Sequence, residues 1–233
     1  MRLQRVMRVA ASIHPISDRV NMPRSYDNRL RSERAAETRR RIVVAAAEMF
    51  RERGYSGTRI ADIASRAGVS ADTVNVNGPK SALLQAAVEV SSFGTEGEHL
   101  VFAFDLGADI LRQVDAEGFA SLLADAMVTL NARVASLWAL LVAESLVDPE
   151  LRVRHDAMIA SIIRSADAVV ALCEERGWTS GGASRSERVA TILAIGSTDS
   201  YRRVRDDLGL GDEAYRDWLR RGILTALGHE SRI

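Results

Sequence analysis

Lysine is almost missing from this chain: of its 31 basic residues only Lys80 is a lysine and the rest are arginine. Cysteine is as scarce, with Cys173 alone, which excludes an intrachain disulfide and fits a reducing compartment. A redox-sensing thiol needs an exposed, electropositive setting, whereas Cys173 falls on an apolar helical stripe and reads as packing. Proline occurs 4 times and aromatics make up 5% of residues, and no alternating apolar/polar run of useful length occurs, so the composition suits an all-helical bundle more than a sheet protein. The four histidines, His14, His99, His155 and His229, stand in separate segments. There is no HExxH, no cysteine pair, no glycine loop after a strand and no serine elbow, so nothing assembles a metal site, a phosphate cradle or a nucleophile. The expectation is a non-enzyme with no cofactor. The longest unbroken apolar run, Leu137 to Ala143, is far short of the roughly 18 to 20 residues of a membrane span, which predicts a soluble, cytoplasmic protein with no membrane partner.

What is present is a charge asymmetry. The net charge is zero, yet residues 1–90 carry 16 basic and 9 acidic side chains, net +7, and residues 91–233 carry 15 and 22, net −7. A cationic front suits phosphate and an acidic rear keeps the remainder off it; an arginine-rich tail without a specific partner gives the same asymmetry. That tail, residues 1–34, has eight arginines against Asp18, Asp27 and Glu33 and is interrupted by Pro15 and Pro23, so it is expected to be disordered. It lacks the apolar core of a secretion signal. Met22, just before Pro23, is an alternative translation start. With 233 residues and 47% hydrophobic content the chain has ample core for one or two further domains. The boundaries expected are 35–90 and 91–233.

The informative stretch is Thr38 to Leu84. Ile42, Ala45, Ala46, Met49 and Phe50 follow the i, i+3, i+4, i+7, i+8 spacing of an amphipathic helix, with Arg39, Arg40, Arg41, Glu48, Arg51 and Arg53 opposite. Gly54 stops it, Thr58 is placed to cap a second helix with Ile60, Ile63, Ala64 and Ala67 inward, and Gly68 ends that helix. Ser70 then caps a short segment, Ala71 to Val76, whose Asp72, Thr73 and Asn75 have no core to serve. Two short helices joined by a tight glycine turn are the helix-turn-helix pattern of DNA-binding proteins. Gly78, Pro79 and Lys80 open a fourth helix, where free N–H groups and an ammonium favour an anion. Ser70, Ala71, Asp72, Thr73, Asn75 and Asn77 are therefore expected at bases, and Thr38, Arg39, Tyr55, Thr58, Arg59 and Lys80 at phosphates of double-stranded DNA.

Thr38, Ile42, Ala46, Phe50, Gly54, Tyr55, Thr58, Ile63, Ala64, Ala67, Gly68, Val69, Ser70, Thr73, Lys80 and Leu83 together resemble the TetR family of bacterial regulators, over residues 37–85. The run Tyr201, Arg202, Leu208, Tyr215, Trp218 and Leu219 is similar to the closing helices of many members. One departure stands out. Between Val74 and Lys80 the family has a tyrosine, a spacer, an aromatic and a polar link, whereas this chain has Asn75, Val76, Asn77, Gly78 and Pro79, one residue short and without an aromatic. Two readings of Asn75 stand: a partner for an adenine edge, or a solvated or phosphate-touching side chain. The resemblance implies an all-α fold, a three-helix helix-turn-helix domain followed by a helical ligand and dimerisation domain. It also implies a ligand-responsive repressor on a palindromic operator. A helical small-molecule-binding protein with a degenerate head is the alternative.

Beyond residue 90, segments separate at 94–97, 115–118, Asn131, 148–149, 177–184 and 209–212. Asp148 and Pro149 open a long helix with the stripe Leu151, Met158, Ile162, Ala166, Val169 and Cys173; a last helix from Asp212 carries Tyr215, Trp218, Leu219, Gly222, Ile223 and Ala226. Dimerisation has its own physical ground, since a single helix-turn-helix makes too few base contacts for tight specific binding. By resemblance these two helices form a homodimer's four-helix bundle, through Ile162, Ala166, Val169, Tyr215, Trp218, Leu219, Gly222, Ile223 and Ala226; the same stripes equally suit the protomer's own core. The resemblance also implies an effector cavity, of unknown small molecule, for which Phe102, Phe104, Phe119, Met127, Trp138, Leu141 and Met158 are the candidates.

Overall fold

A computed structural model describes residues 24–97, 112 and 115–229, with side chains from residue 29. The tail before residue 24, with Met22, and Phe102 and Phe104 lie outside the described residues. Among those described there is no strand. The helices are α1 (Arg24–Gly57), α2 (Ile60–Ala67), α3 (Ala71–Val76), α4 (Lys80–Phe93), α5 (Ala116–Ser145), α6 (Pro149–Glu175), α7 (Arg185–Gly196), α8 (Thr198–Arg202) with a π-helical turn at Arg203–Asp207, and α9 (Asp212–Leu227). The described residues fall into two units, one ending at Thr38 and the other starting at Arg39. Helix α1 starts at Arg24, so residues 24–34 are helical where the sequence suggests disorder; Arg29 and Glu33 pair one turn apart on it.

Gly54 interrupts α1 with φ 71° and ψ 176°, a conformation that costs glycine little. Thr58 does not cap α2. Its hydroxyl turns inward and donates to the carbonyl oxygens of Gly54 (2.7 Å) and Met49 (3.1 Å), groups left over where α1 ends. Arg59 occupies the capping position instead, its N–H donating to the Asp62 carboxylate at 3.1 Å. Gly68, at φ 67°, makes the turn into α3, whose cap is Ser70: the Thr73 N–H donates to Ser70 Oγ at 3.1 Å. Ile42, Met49, Phe50, Ile63, Val74, Leu83 and Leu84 fill the core of this head. The same cluster runs on into Leu137 and Leu141 of α5 and Leu151 of α6, so the apolar core of the head continues onto α5 and α6.

The second core lies among α5, α6, α7 and α9, around Phe119, Val170, Cys173, Tyr215 and Ile223. Asp115, Asp148 and Ser184 cap α5, α6 and α7 by accepting from backbone N–H groups, with Pro149 in the first turn of α6. Asn131 does not end a segment. It is buried in mid-α5, donates to the Gly196 carbonyl at 3.0 Å and accepts from the Thr198 hydroxyl at 3.1 Å, which stitches α5 to the break between α7 and α8. Met127, one turn earlier, lies against Gly196.

Although no unbroken apolar run is long, an 18-residue window of α5 has a mean hydropathy of 1.6, so by length and composition it is long and apolar enough to cross a membrane. Counting unbroken runs misses it because isolated Ser, Thr and Asn residues punctuate the helix. Here its apolar stripe packs against α4, α6 and α9.

Candidate nucleic-acid interface

The 6-residue helix α3 buries one side chain, Val74, against the head. At 3.6 residues per turn the opposite line runs through Asp72 and Val76, with Ala71 and Asn75 beside it. All four are exposed, Val76 at 87%. The other polar groups of the segment are occupied at home. The Ser70 and Thr73 hydroxyls bond each other at 2.8 Å, and the Asn77 amide donates to the Thr73 carbonyl at 2.8 Å, closing the C-terminal end. Of the residues expected at bases, Ala71, Asp72 and Asn75 share the free face, while Ser70, Thr73 and Asn77 hold the helix in shape.

The residues expected at phosphates do not gather as the sequence suggests. Tyr55 is 9% exposed, its ring tilted on Phe50 at 5.7 Å between centroids, and burial with Asp148, Glu144 and Glu150 nearby pushes its phenol up to about 12. Thr58 is 1% exposed with its hydroxyl satisfied, so it offers nothing to a phosphate. Lys80 sits at the start of α4, but its ammonium donates to the carbonyl oxygens of Tyr55 (3.0 Å) and Thr58 (3.3 Å) and lies 4.1 Å over the Tyr55 ring. Arg39 donates to both Glu96 carboxylate oxygens, the shortest at 2.6 Å, and to the Asn77 carbonyl at 2.5 Å. Thr38 is half-buried and belongs to the first unit.

Arg59 is the exception: exposed at the start of α2, its guanidinium meets no carboxylate among the described residues. Arg40 and Arg41 are equally exposed and equally without an acidic partner among those residues, and the Arg41 guanidinium lies beside the Gly68 turn. Sequence spacing does not single them out, although the triplet Arg39, Arg40 and Arg41 opposite an apolar stripe signals a cationic face. Arg53 and Arg66, by contrast, are spent on Asp62, Glu48 and Glu52. The candidate interface is therefore the exposed face of α3, the Arg41 guanidinium at the Gly68 turn before it, and Arg40 and Arg59 exposed elsewhere on α1 and at the start of α2, carried on a head whose remaining polar groups largely bond one another.

The candidates for an effector cavity separate. Phe119 and Met127 belong to the second core, and Trp138, Leu141 and Met158 to the core shared with the head. Phe119 and Leu141 are fully buried among neighbours and fill space instead of lining it. The dimer candidates change in the same way. Ala166, Val169, Tyr215, Leu219, Ile223 and Ala226 are buried in the protomer's own core, and Gly222 lies under Ile195 of α7, the close approach its small size allows. Ile162 and Trp218 remain exposed, at 39% and 38%. Cys173 is fully buried, and burial raises its thiol to about 12, which leaves it unreactive.

A short helix with an exposed outer face, set by a glycine turn against a second helix and backed by α1 and α4, is the helix-turn-helix arrangement. Residues 42–76 match the family model of bacterial regulatory proteins, tetR family. The HTH-type transcriptional regulator CymR of Pseudomonas putida is 48% identical over 46 residues, 20% of this chain, and the match spans 23% of that relative's length. The likeness of fold extends much further. A TetR-family transcriptional regulator from Rhodococcus sp. superposes with a TM-score of 0.65 at 19% identity, covering 82% of this chain and 99% of that one. AibR, solved with isovaleryl coenzyme A and operator DNA, gives 0.57 at 16% identity, covering 80% and 98%.

Proposed function

We propose that the chain is a sequence-specific transcriptional regulator that binds a palindromic operator as a homodimer and lets go when a small molecule binds. The observation that carries this reading is the free face of α3, Ala71, Asp72, Asn75 and Val76, on a head that also exposes the guanidiniums of Arg40, Arg41 and Arg59 with no acidic partner among the described residues, that of Arg41 at the Gly68 turn leading into α3. Base edges meet the free face and phosphates meet the arginines, the division of labour that sequence-specific binding needs. One such head makes few base contacts, so two related by a twofold axis read half-sites about 34 to 36 Å apart. The exposed Trp218 of α9 and Ile162 of α6 are the contacts we assign to the dimer.

Ligand response is supported by the resemblance of fold to AibR, whose structure holds both a coenzyme A ester and operator DNA. An effector that prefers a dimer with wrongly spaced heads lowers DNA affinity by that preference alone. Repression results where the operator overlaps a promoter, and a chromosome-binding regulator works in the cytoplasm. Selection from a randomised duplex library at low salt, followed by titration of the enriched duplex, tests the reading. An enriched inverted repeat is the expected result. No enrichment at any salt would favour a helical ligand-binding protein with a degenerate head, the reading suggested by the missing aromatic beside Asn75.

A further inference from the structure

Val76 stands out among the large apolar side chains for its exposure, 87%, on a helix whose other valine, Val74, is fully buried. Nothing local asks for it. Valine is a poor helix former, and no neighbouring core needs an apolar group on that face. Asp72, one turn earlier on the same outward line, is exposed and meets no cation among the described residues. A carboxylate there repels phosphate, so this line of α3 is suited to base edges rather than backbone. In the major groove the hydrogen-bond donors are the exocyclic amines of cytosine and adenine, and the one apolar feature is the C5-methyl of thymine.

Resting on the reading of the head as sequence-specific, we infer that Val76 is a specificity-determining residue that packs on a thymine methyl, while Asp72 accepts from a cytosine or adenine amine nearby. Four residues of helix advance about 6 Å. Base pairs along one strand are about 3.4 Å apart, so the two recognised bases lie roughly two steps from each other. The missing aromatic fits this: without a large ring beside it, a small branched side chain at the end of α3 reaches the groove floor.

The test starts from the duplex that the wild-type protein enriches from a randomised library. Each thymine is replaced in turn by deoxyuridine, which removes only the methyl, and affinities are measured by fluorescence anisotropy for wild type and Val76→Ala. One thymine per half-site is expected to matter, its replacement weakening the wild type roughly fourfold, the worth of one buried methyl-sized group. Val76→Ala should bind the thymine and uracil duplexes equally. Val76→Thr, which keeps the shape and one methyl, should retain part of the preference, and thermal melting of both variants should match the wild type because the side chain is exposed. Indifference of the wild type to every replacement, or an undiminished preference in Val76→Ala, overturns the inference while leaving DNA binding intact. Failure of the wild type to enrich any duplex overturns the reading beneath it as well.

Discussion

Lys80 is tied to Tyr55 in two ways: its ammonium donates to the Tyr55 carbonyl oxygen at 3.0 Å and rests 4.1 Å over the Tyr55 ring. A third bond, to the Thr58 carbonyl at 3.3 Å, completes the fastening of the α1–α2 turn to the start of α4. The ammonium gives the Tyr55 carbonyl, which also accepts from the Thr58 N–H, a second donor, and adds a donor to the Thr58 carbonyl in the turn between α1 and α2. Replacing Lys80 by Ala should cost the fold roughly 1.5 to 3 kcal/mol, the range for a hydrogen bond to a charged group. Thermal melting reads that loss. The salt dependence of DNA binding should keep its slope, whereas a phosphate contact would flatten it by about 0.9 per lysine.

Glu96 holds Arg39 as a phosphate would. Both carboxylate oxygens accept from the guanidinium while a further N–H reaches the Asn77 carbonyl at the end of α3, so a cation beside the reading helix is neutralised by the turn after α4. Substituting Gln for Glu96 should release that charge. Binding to the selected duplex should tighten severalfold at low salt and its salt slope should steepen by about 0.9 per protomer. An unchanged slope would mean that Arg39 stays on Asn77 and serves only the fold.

Trp218 stacks on Tyr215 at 5.8 Å yet stays 38% exposed on α9. A charge placed there should split the dimer while the protomer core, centred on Tyr215, Leu219 and Ile223, persists. Sedimentation of Trp218→Glu is expected to show a monomer with unchanged helical content and much weaker operator binding. A dimer of undiminished strength would move the interface elsewhere, with Ile162 of α6 next to be tested.

Stability should fall in alkali. Burial raises the Cys173 thiol from 9.0 to about 12, and the Tyr55 and Tyr215 phenols from 10.0 to about 12, so the unfolded chain releases these protons first. Their contribution is complete below pH 9 and is lost as the pH climbs toward 12. Urea midpoints at pH 8 and pH 10.5 should differ accordingly, the second being lower; equal midpoints would show that these groups ionise as easily in the folded protein.

The head was legible in sequence because its signals are local. Glycines at 54 and 68, the Ser70 cap and the stripe from Ile42 to Phe50 each act within a turn or two, and Asp148 with Pro149 marks α6 in the same way. What sequence spacing cannot show is which of two apolar surroundings a stripe meets. Tyr215, Leu219 and Ile223 have the period of a dimer face and that of a core, and they are core. Nor does spacing reveal partners far along the chain. Lys80 finds carbonyls more than twenty residues earlier, and Asn131 finds Gly196 and Thr198, which turns an expected break into the middle of a helix. Thr58 was displaced by one position because its hydroxyl does better on the end of α1 than on the start of α2.

The salt slope of operator binding by Arg41→Ala/Arg59→Ala weighs most directly on the claim that exposed arginines of the head without an acidic partner grip the duplex backbone. Each side chain is exposed and free of an acidic partner among the described residues, so the fold should melt as the wild type does. Two phosphate contacts removed from each of two protomers should reduce the slope by about 3.6 and weaken all duplexes alike. A slope equal to that of the wild type, or the absence of binding by the wild type even in dilute buffer, would contradict it.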